Sequence, residues 1–348
     1  MTSRYGATRD DIASAIDTLG QPRYRVDQVH NGMWQQRLPI ESLTSLPKAL
    51  RAALEAEFPL ALTPILERRS SDEHTTKWLW QAAGGDQIET VLMRSPNRAT
   101  VCVSSQAGCA MGCTFCATGQ AGFDRHLDVG EIVEQVLRAQ HATEARVSNV
   151  VFMGMGEPLA NLDAVEPAIE RLHRDLGLSA RKITVSTVGV VPGIERLREF
   201  PLPVTLAVSL HAPDDALRDS LVPLNRRYPI SDVLDAARAY VEAKGRRVTF
   251  EYACIEGTND HLHLADALAG RLGGFPGGAH VNLIPLNSTA AFGGTASAGA
   301  RLGEFAERLT SRGITATVRR NRGADIDAAC GQLRMRAANV PAVRESSP

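Results

Sequence analysis

The chain has 348 residues and a formal net charge of −1, with 44% hydrophobic and 22% charged residues. These proportions are those of an ordinary globular protein, and the length is enough for one large domain and a smaller one. The balanced charge excludes a global field that would draw the protein to nucleic acid or to a membrane, so any basic surface must be local. The candidates are Arg181 with Lys182, Arg226 with Arg227, Lys244–Arg247, and Arg319 with Arg320 and Arg322.

The start of the chain predicts neither a signal peptide nor a membrane anchor. Residues Met1–Arg9 are polar and lack the apolar stretch of a signal peptide. No apolar run is long enough to span a bilayer. We therefore expect a cytoplasmic protein whose cysteines stay reduced unless they serve catalysis or bind a metal.

Residues 1–60 predict a small helical accessory module. Three segments carry apolar residues at helical spacing: Asp10–Leu19, Arg25–Gln36 and Ser42–Phe58. Residues 61–97 predict a β-hairpin extension, with strands over Thr75–Gln81 and Gln87–Met93 and a turn signal at Gly84–Asp86.

Residues 98–337 predict an α/β core, because short β-branched runs alternate there with longer helical stretches. The predicted strands are Ala99–Ser104, Asn149–Met153, Lys182–Thr187, Val204–Leu210, Val248–Cys254 and His280–Pro285, with Thr315–Arg319 as a further candidate. The predicted helices are Asp128–Thr143, Leu162–Leu176, Ser231–Lys244, Asp260–Leu272 and Ala300–Arg312. About six repeated units favour a partial barrel over a doubly wound sheet. Thr289–Gly299 predicts a mobile loop, and residues 338–348 predict a disordered tail.

Groups able to bind a ligand follow four of the predicted strands. They are Gly154–Pro158, Ser186–Gly189, Ser209–His211 and Asn287. In parallel barrels the carboxyl ends of the strands form the ligand-binding face. Loops are polar in any case, which explains one such group easily and four of them less easily.

Three cysteines lie within eight residues: Cys109, Cys113 and Cys116. Soft thiolate ligands are typical of iron–sulfur clusters. A four-iron cluster takes four ligands, so three neighbouring cysteines would leave one iron open to a small molecule. Structural zinc is the alternative, with His126 as the nearest fourth ligand.

The wider sequence resembles the adenine-C2 RNA methyltransferases of the radical S-adenosylmethionine superfamily. The resemblance covers roughly residues 10–337. It depends on the Cys-x-x-x-Cys-x-x-Cys run with Phe115 before its last cysteine, on Met153-Gly-Met-Gly-Glu-Pro-Leu159, and above all on Asp325-Ile-Asp-Ala-Ala-Cys330-Gly-Gln-Leu333. Small departures are Arg125-His126-Leu127, where Arg-Asn-Leu is usual, and Asn287-Ser288, where Asn-Pro is common.

The resemblance implies a partial (β/α)6 barrel with a [4Fe-4S] cluster on Cys109, Cys113 and Cys116, and two molecules of S-adenosylmethionine per turnover. It implies that Cys330 carries the methyl group and that Cys102 releases the product by forming a disulfide with Cys330. Glu89 matches the proton acceptor of the family. Gly156, Glu157, Ser186, Ser209, Leu210, His211 and Asn287 match its contacts to S-adenosylmethionine.

The resemblance also implies the partners, and it implies that the helical module of residues 1–60 is an RNA-binding accessory domain. The substrates would be adenine 2503 of 23S ribosomal RNA and adenine 37 of tRNA, and the reducing electron would come from a flavodoxin-like donor to a monomeric enzyme. Cys254 matches no functional position and is assigned to the core. Three alternatives stay open: a C8-adenine methyltransferase that confers antibiotic resistance, a zinc-bound RNA-binding protein without turnover, and a radical enzyme that makes a small metabolite.

Overall fold

The computed structural model describes residues 2–289, 291–319 and 323–333. The predicted tail at 338–348 lies outside these ranges, as do Arg320 and Arg322. The strands are β1 (Leu62–Arg69), β2 (Thr75–Ala82), β3 (Gln87–Ser95), β4 (Arg98–Cys102), β5 (Gln106–Gly108), β6 (Phe123–His126), β7 (Val147–Phe152), β8 (Ile183–Thr187), β9 (Thr205–Ser209), β10 (Thr249–Cys254), β11 (His280–Pro285) and β12 (Thr315–Val318).

The helices surround one sheet. They are α1 (Arg9–Thr18), α2 (Tyr24–His30), α3 (Lys48–Glu57), α4 (Ala117–Ala121), α5 (Val129–His141), α6 (Leu162–Arg174), α7 (Val191–Glu199), α8 (Asp215–Leu221), α9 (Ile230–Lys244), α10 (Leu262–Leu272) and α11 (Gly299–Ser311). In the described part of the chain, no helix is long and apolar enough to cross a membrane.

Ten strands form a single sheet in the order β1-β2-β3-β4-β7-β8-β9-β10-β11-β12. The seven strands from β4 to β12 are parallel, and each pairs with the next one in this order. A doubly wound sheet would reverse its strand order part-way along, so this arrangement is the partial barrel that the sequence predicts. The carboxyl ends of its parallel strands therefore meet at one rim.

The hairpin extension is the antiparallel edge of the same sheet. β1 pairs with β2, β2 with β3, and β3 with β4. The sequence did not predict β1, whose register shifts between Pro64 and Leu66 because proline cannot donate to a strand ladder. Residues 61–97 thus contribute three strands, and β3 places its side chains beside those of the first barrel strand.

The helical module packs directly on the barrel. Thr8 and Asp11 form a capping box that begins α1. Arg171 of α6 donates to the carbonyl oxygens of Tyr5 and Ala7 at 2.9 and 2.7 Å. Buried apolar side chains continue without a break from the module into the barrel. The predicted helix Ser42–Phe58 is shorter than expected, because Pro47 permits a helix only after it.

Candidate active site

The cysteine loop lies between two short antiparallel strands, β5 and β6, at the rim of the barrel. The amide of Cys109 donates to the carbonyl of Gly122 at 2.6 Å. Gly108 has φ +73°, and a Cβ there would lie 2.2 Å from that carbonyl oxygen. The close approach of the two backbones thus requires glycine and sets where the loop starts.

The three thiols of this loop lie in an apolar setting. Cys113 is buried, and Cys109 and Cys116 are half-buried. Burial raises the pKa of Cys109 to about 12 and that of Cys113 well above its usual value, and the neighbouring cysteines raise both further. A small second core surrounds the loop: Cys113, Phe115, Leu221, Val222, Ala253, Ile255 and Leu286. The thiols of Cys109 and Cys113 therefore keep their protons in this setting, and a bound metal would have to displace those protons.

The donor set fits an iron–sulfur cluster better than a zinc ion. Within residues 2–289, 291–319 and 323–333, no three His, Cys, Asp or Glu side chains gather closely enough to hold one ion together. The ligands of a multi-iron cluster each bind a different iron, so they need not converge. His126, the predicted fourth zinc ligand, has its Nδ1 3.0 Å from Nε2 of Gln106 and lies in β6.

Glycines after β7 bring the predicted Gly156–Glu157 segment against the strand before the cysteine loop. Gly156 has φ +102°, and a Cβ there would lie 2.5 Å from Cβ of Gln106. The amide of Glu157 donates to Oε1 of Gln106 at 2.8 Å. The buried Glu157 carboxylate accepts the amides of Leu159 at 3.0 Å and Val188 at 2.9 Å. Burial is the main cause that raises its pKa to about 7.

His211 follows β9 in a left-handed conformation, with φ 62°. Its Nδ1 accepts the amide of Ala253 at 3.0 Å, and its ring lies edge-on to Phe115 of the cysteine loop. Burial, followed by the charge of Arg218, lowers the pKa of His211 to about 3. The imidazole is therefore a neutral packing partner of the cysteine loop.

The other predicted contacts to S-adenosylmethionine in this region differ in exposure. Ser186 and Ser209 are half-buried, and Leu210 is fully buried.

Arg218 is a buried cation that sequence reasoning missed. Its guanidinium donates to three strand-end carbonyls and one amide: Leu210 at 3.0 Å, Val188 at 2.6 Å, Ser209 at 3.2 Å and Oδ1 of Asn225 at 2.8 Å. The residue ties the ends of β8 and β9 together. Lone arginines in short helices are common, so no sequence pattern indicated this role.

The segment that carries Cys330 docks on the cysteine loop and on the loop after β11. The amide of Ala117 donates to the carbonyl of Gly331 at 2.8 Å. The hydroxyl of Thr118 donates to the carbonyl of Leu333 at 2.8 Å. Asn287 donates from Nδ2 to the carbonyl of Cys330 at 2.9 Å. The segment predicted from the C-terminal motif thus reaches the rim of the barrel.

Cys102 lies within electrostatic range of Cys330. Burial is the main cause that raises the pKa of the Cys102 thiol, and the charge of Cys330 raises it further. Cys330 is exposed to water, although burial among protein atoms also raises its pKa. Solvent reaches Cys330, whereas Cys102 is buried. All six cysteines are free, so the predicted disulfide is not formed in this structure.

Glu89 lies on the same face of the sheet as Cys102. Val91 is paired with Cys102 across β3 and β4, and Glu89 precedes Val91 by two residues. Side chains two apart on a strand share a face. Glu89 is fully buried, and its Oε1 lies 3.1 Å from Nζ of Lys77. The structure therefore places Glu89 and Cys102 on one face of the sheet, and Lys77 on that face donates to the carbonyl of Asp327 in the segment that carries Cys330.

Comparison with known proteins shows to which family this chain belongs. The model of the radical SAM superfamily matches residues 103–268. A protein of Frankia alni named "Probable dual-specificity RNA methyltransferase RlmN" is 52% identical, over 94% of this chain and 81% of that protein. A relative of the same name in Mycolicibacterium smegmatis is 48% identical, over 92% of both chains.

The chain belongs to the RlmN family. The crystal structure of a radical SAM methyltransferase from Sphaerobacter thermophilus agrees with the RlmN fold described above. Its TM-score is 0.91 at 47% identity, covering 96% of this chain and 99% of the other. The protein is accordingly a radical SAM enzyme that methylates RNA, and the family uses a [4Fe-4S] cluster and S-adenosylmethionine.

Proposed function

We propose that this enzyme methylates C2 of adenine 2503 in 23S ribosomal RNA and of adenine 37 in tRNA, with Cys330 as the methyl carrier. The observation that carries the proposal is the docking of the Cys330 segment on the cysteine loop, with Cys102 and Glu89 on the sheet face beside it. C2 of adenine lies between two ring nitrogens and is electron-poor. A carbon radical can add to such a carbon, whereas an ordinary methyl transfer would need it to be a nucleophile.

Cys109, Cys113 and Cys116 hold the cluster in this proposal, and the loops after the parallel strands hold S-adenosylmethionine. When bound, the cluster and one S-adenosylmethionine supply a deoxyadenosyl radical, with the electron coming from a flavodoxin-like donor. Glu157 meets the amino group of that molecule, since each carboxylate oxygen can accept a bond beyond the amide that it already has. Ser186, Ser209, Leu210, His211, Asn287 and Gly156 line the same rim.

Cys330 carries the transferred carbon. Its thiolate first attacks the methyl carbon of another S-adenosylmethionine, so that a bond from sulfur to the methyl group forms and S-adenosylhomocysteine leaves. The methyl group on Cys330 would then give one hydrogen atom to the deoxyadenosyl radical, which becomes 5′-deoxyadenosine, and the methylene radical that remains on Cys330 adds to C2 of the adenine. The target base must leave its stack to reach this thiol. The exposure of Cys330 suits that approach.

Glu89 and Cys102 complete the reaction. The C2 hydrogen leaves as a proton to the Glu89 carboxylate, and one electron passes to a one-electron acceptor of the iron–sulfur class. The Cys102 thiolate then attacks the Cys330 sulfur, so that an S–S bond forms and the C–S bond breaks. The released carbon keeps the electron pair and takes a proton to become the methyl group. A dithiol reductant restores both thiols.

The test is anaerobic incubation of reconstituted enzyme with S-adenosylmethionine and RNA that lacks the modification. We expect 2-methyladenosine from the native enzyme. C330A should abolish methyl transfer and still cleave S-adenosylmethionine reductively, and C102A should accumulate a protein–RNA adduct. A product methylated at C8 would replace this proposal with the resistance methyltransferase, and active C330A would overturn the role of the carrier.

A further inference from the structure

We infer that Lys77 is a positioning residue that keeps Glu89 ionised and binds it to the carrier segment. The inference rests on the proposed function, in which Glu89 accepts the C2 proton. Lys77 lies on β2, opposite Val91 of β3, and Val91 lies opposite Cys102 of β4. The three side chains form one row across the sheet, and Glu89 occupies the same face.

The pair is sealed from water. The side chains of Lys77 and Glu89 are 2% and 0% exposed, and Nζ lies 3.1 Å from Oε1. Moving two charges out of water is costly, and a hydrophobic pair of similar volume is often as stable or more so. The pair is therefore weak evidence for a purely stabilising role. A carboxylate that must accept a proton inside an apolar barrel needs a neighbouring cation to remain charged.

Lys77 also contacts the carrier segment. Its Nζ donates to the carbonyl of Asp327 at 2.9 Å, three residues before Cys330. Gly323 begins that segment with φ +65°, and a Cβ there would meet the side chain of Thr75, on the same strand as Lys77. One ammonium group thus contacts both the Glu89 carboxylate and the backbone that leads to the methyl carrier. The distance between that carboxylate and an adenine bound to Cys330 therefore depends on Lys77.

The test separates this role from folding. The methylation rate is measured in a single turnover with RNA carrying hydrogen or deuterium at C2 of the target adenine. In the native enzyme we expect no isotope effect, because radical formation is slower than proton transfer. In K77M the C2–H bond breaks slowly, so the rate falls about 10-fold to 100-fold and a primary isotope effect emerges. Formation of 5′-deoxyadenosine continues, and K77R recovers part of the rate.

Two further variants define the outcomes. R301M, at an exposed arginine of α11 that pairs with Glu304, should behave like the native enzyme. If K77M does not fold, K77Q carries the same expectation, since an amide keeps a donor and loses the charge. A K77M or K77Q enzyme that is slow without an isotope effect, or fully active, overturns the inference. A fully active E89Q would instead remove Glu89 as the base, which is a failure of the proposed function.

Discussion

The amide of Ala117, directly after the third loop cysteine, donates to the carbonyl of Gly331, directly after Cys330, at 2.8 Å. This bond joins the two cysteine motifs, which are distant in sequence, through their immediate neighbours. A displacement of the cysteine loop would therefore shift the backbone beside Cys330. In the proposed function, this bond connects the loop that would hold the cluster to the thiol that would carry the methyl group.

Loosening the carrier should uncouple the two half-reactions. Asn287 donates to the carbonyl of Cys330, and N287A removes this restraint while the amide of Ala117 still holds Gly331. Because misplaced reacting groups lose rate steeply, we expect methylation to fall about 10-fold or more. The measurement is the ratio of 5′-deoxyadenosine to methylated adenosine, which should rise.

The control for this variant is T310V, because the hydroxyl of Thr310 donates within its own helix, α11, to the carbonyl of Ala306 at 2.9 Å. It should keep the native ratio. An unchanged ratio in N287A would show that the other bonds of the segment suffice to place Cys330.

Iron content should distinguish the loop cysteines from the remaining ones. We expect C109A, C113A and C116A to lose most of their iron and sulfide and all cleavage of S-adenosylmethionine, because each would supply one ligand of the cluster. C254A is the matched control, since Cys254 is completely buried in β10. It should retain iron and activity. Metal analysis and absorption spectra after anaerobic reconstitution provide the measurement, and an iron-replete C113A would contradict the ligand assignment.

Much of the fold was predictable because the parallel strands are regular and those from β7 to β11 are each followed by a helix. The predicted strands Lys182–Thr187 and His280–Pro285 differ from β8 and β11 by at most one residue. Burial of Cys254 also confirms its assignment to the core. The hydrophobic pattern of buried strands and amphipathic helices carries this information locally.

What the sequence missed depends on contacts between distant residues. The pair of Lys77 with Glu89 requires the register between β2 and β3, which no local pattern specifies. The short helix α8 was not predicted, and its Arg218 acquires a role only from carbonyls that two other strands bring to it. Buried polar partners of this kind are properties of the assembled barrel.

Arg218 should contribute to both stability and cofactor binding. R218M leaves the carbonyls of Val188, Ser209 and Leu210 without their donor inside the protein. Because buried acceptors that lose a charged donor are costly, we expect the free energy of unfolding to fall by about 3 kcal/mol. The affinity for S-adenosylmethionine should also fall, since two strand ends at the rim would no longer be held together. Denaturant unfolding and ligand titration test the two expectations.

The matched control is R196M. Arg196 is an exposed arginine that pairs with Asp163 and Glu166 on the protein surface, and exposed pairs contribute less than about 1 kcal/mol. Equal losses of stability in R218M and R196M would contradict the role that we assign to Arg218.

Glu134 should make the protein less stable as the pH rises. The carboxylate is completely buried in α5 and accepts the amides of Ala61 and Leu62 at 2.8 and 3.2 Å, where the sheet begins. Burial is the main cause that raises its pKa to about 7. The native state therefore holds the Glu134 proton more tightly than the unfolded chain does. The stabilisation that comes from the protonated Glu134 is complete below the unfolded pKa and is lost as the pH rises through about 7.

The variant E134Q does not ionise and isolates this contribution. We expect the free energy of unfolding of the native protein, relative to E134Q, to fall by about 2 kcal/mol between about pH 5.5 and about pH 8. Urea unfolding of both proteins across this range is the measurement, and the other buried carboxyls cancel because both chains contain them. Parallel curves would mean that the two backbone amides stabilise the carboxylate enough to offset its burial.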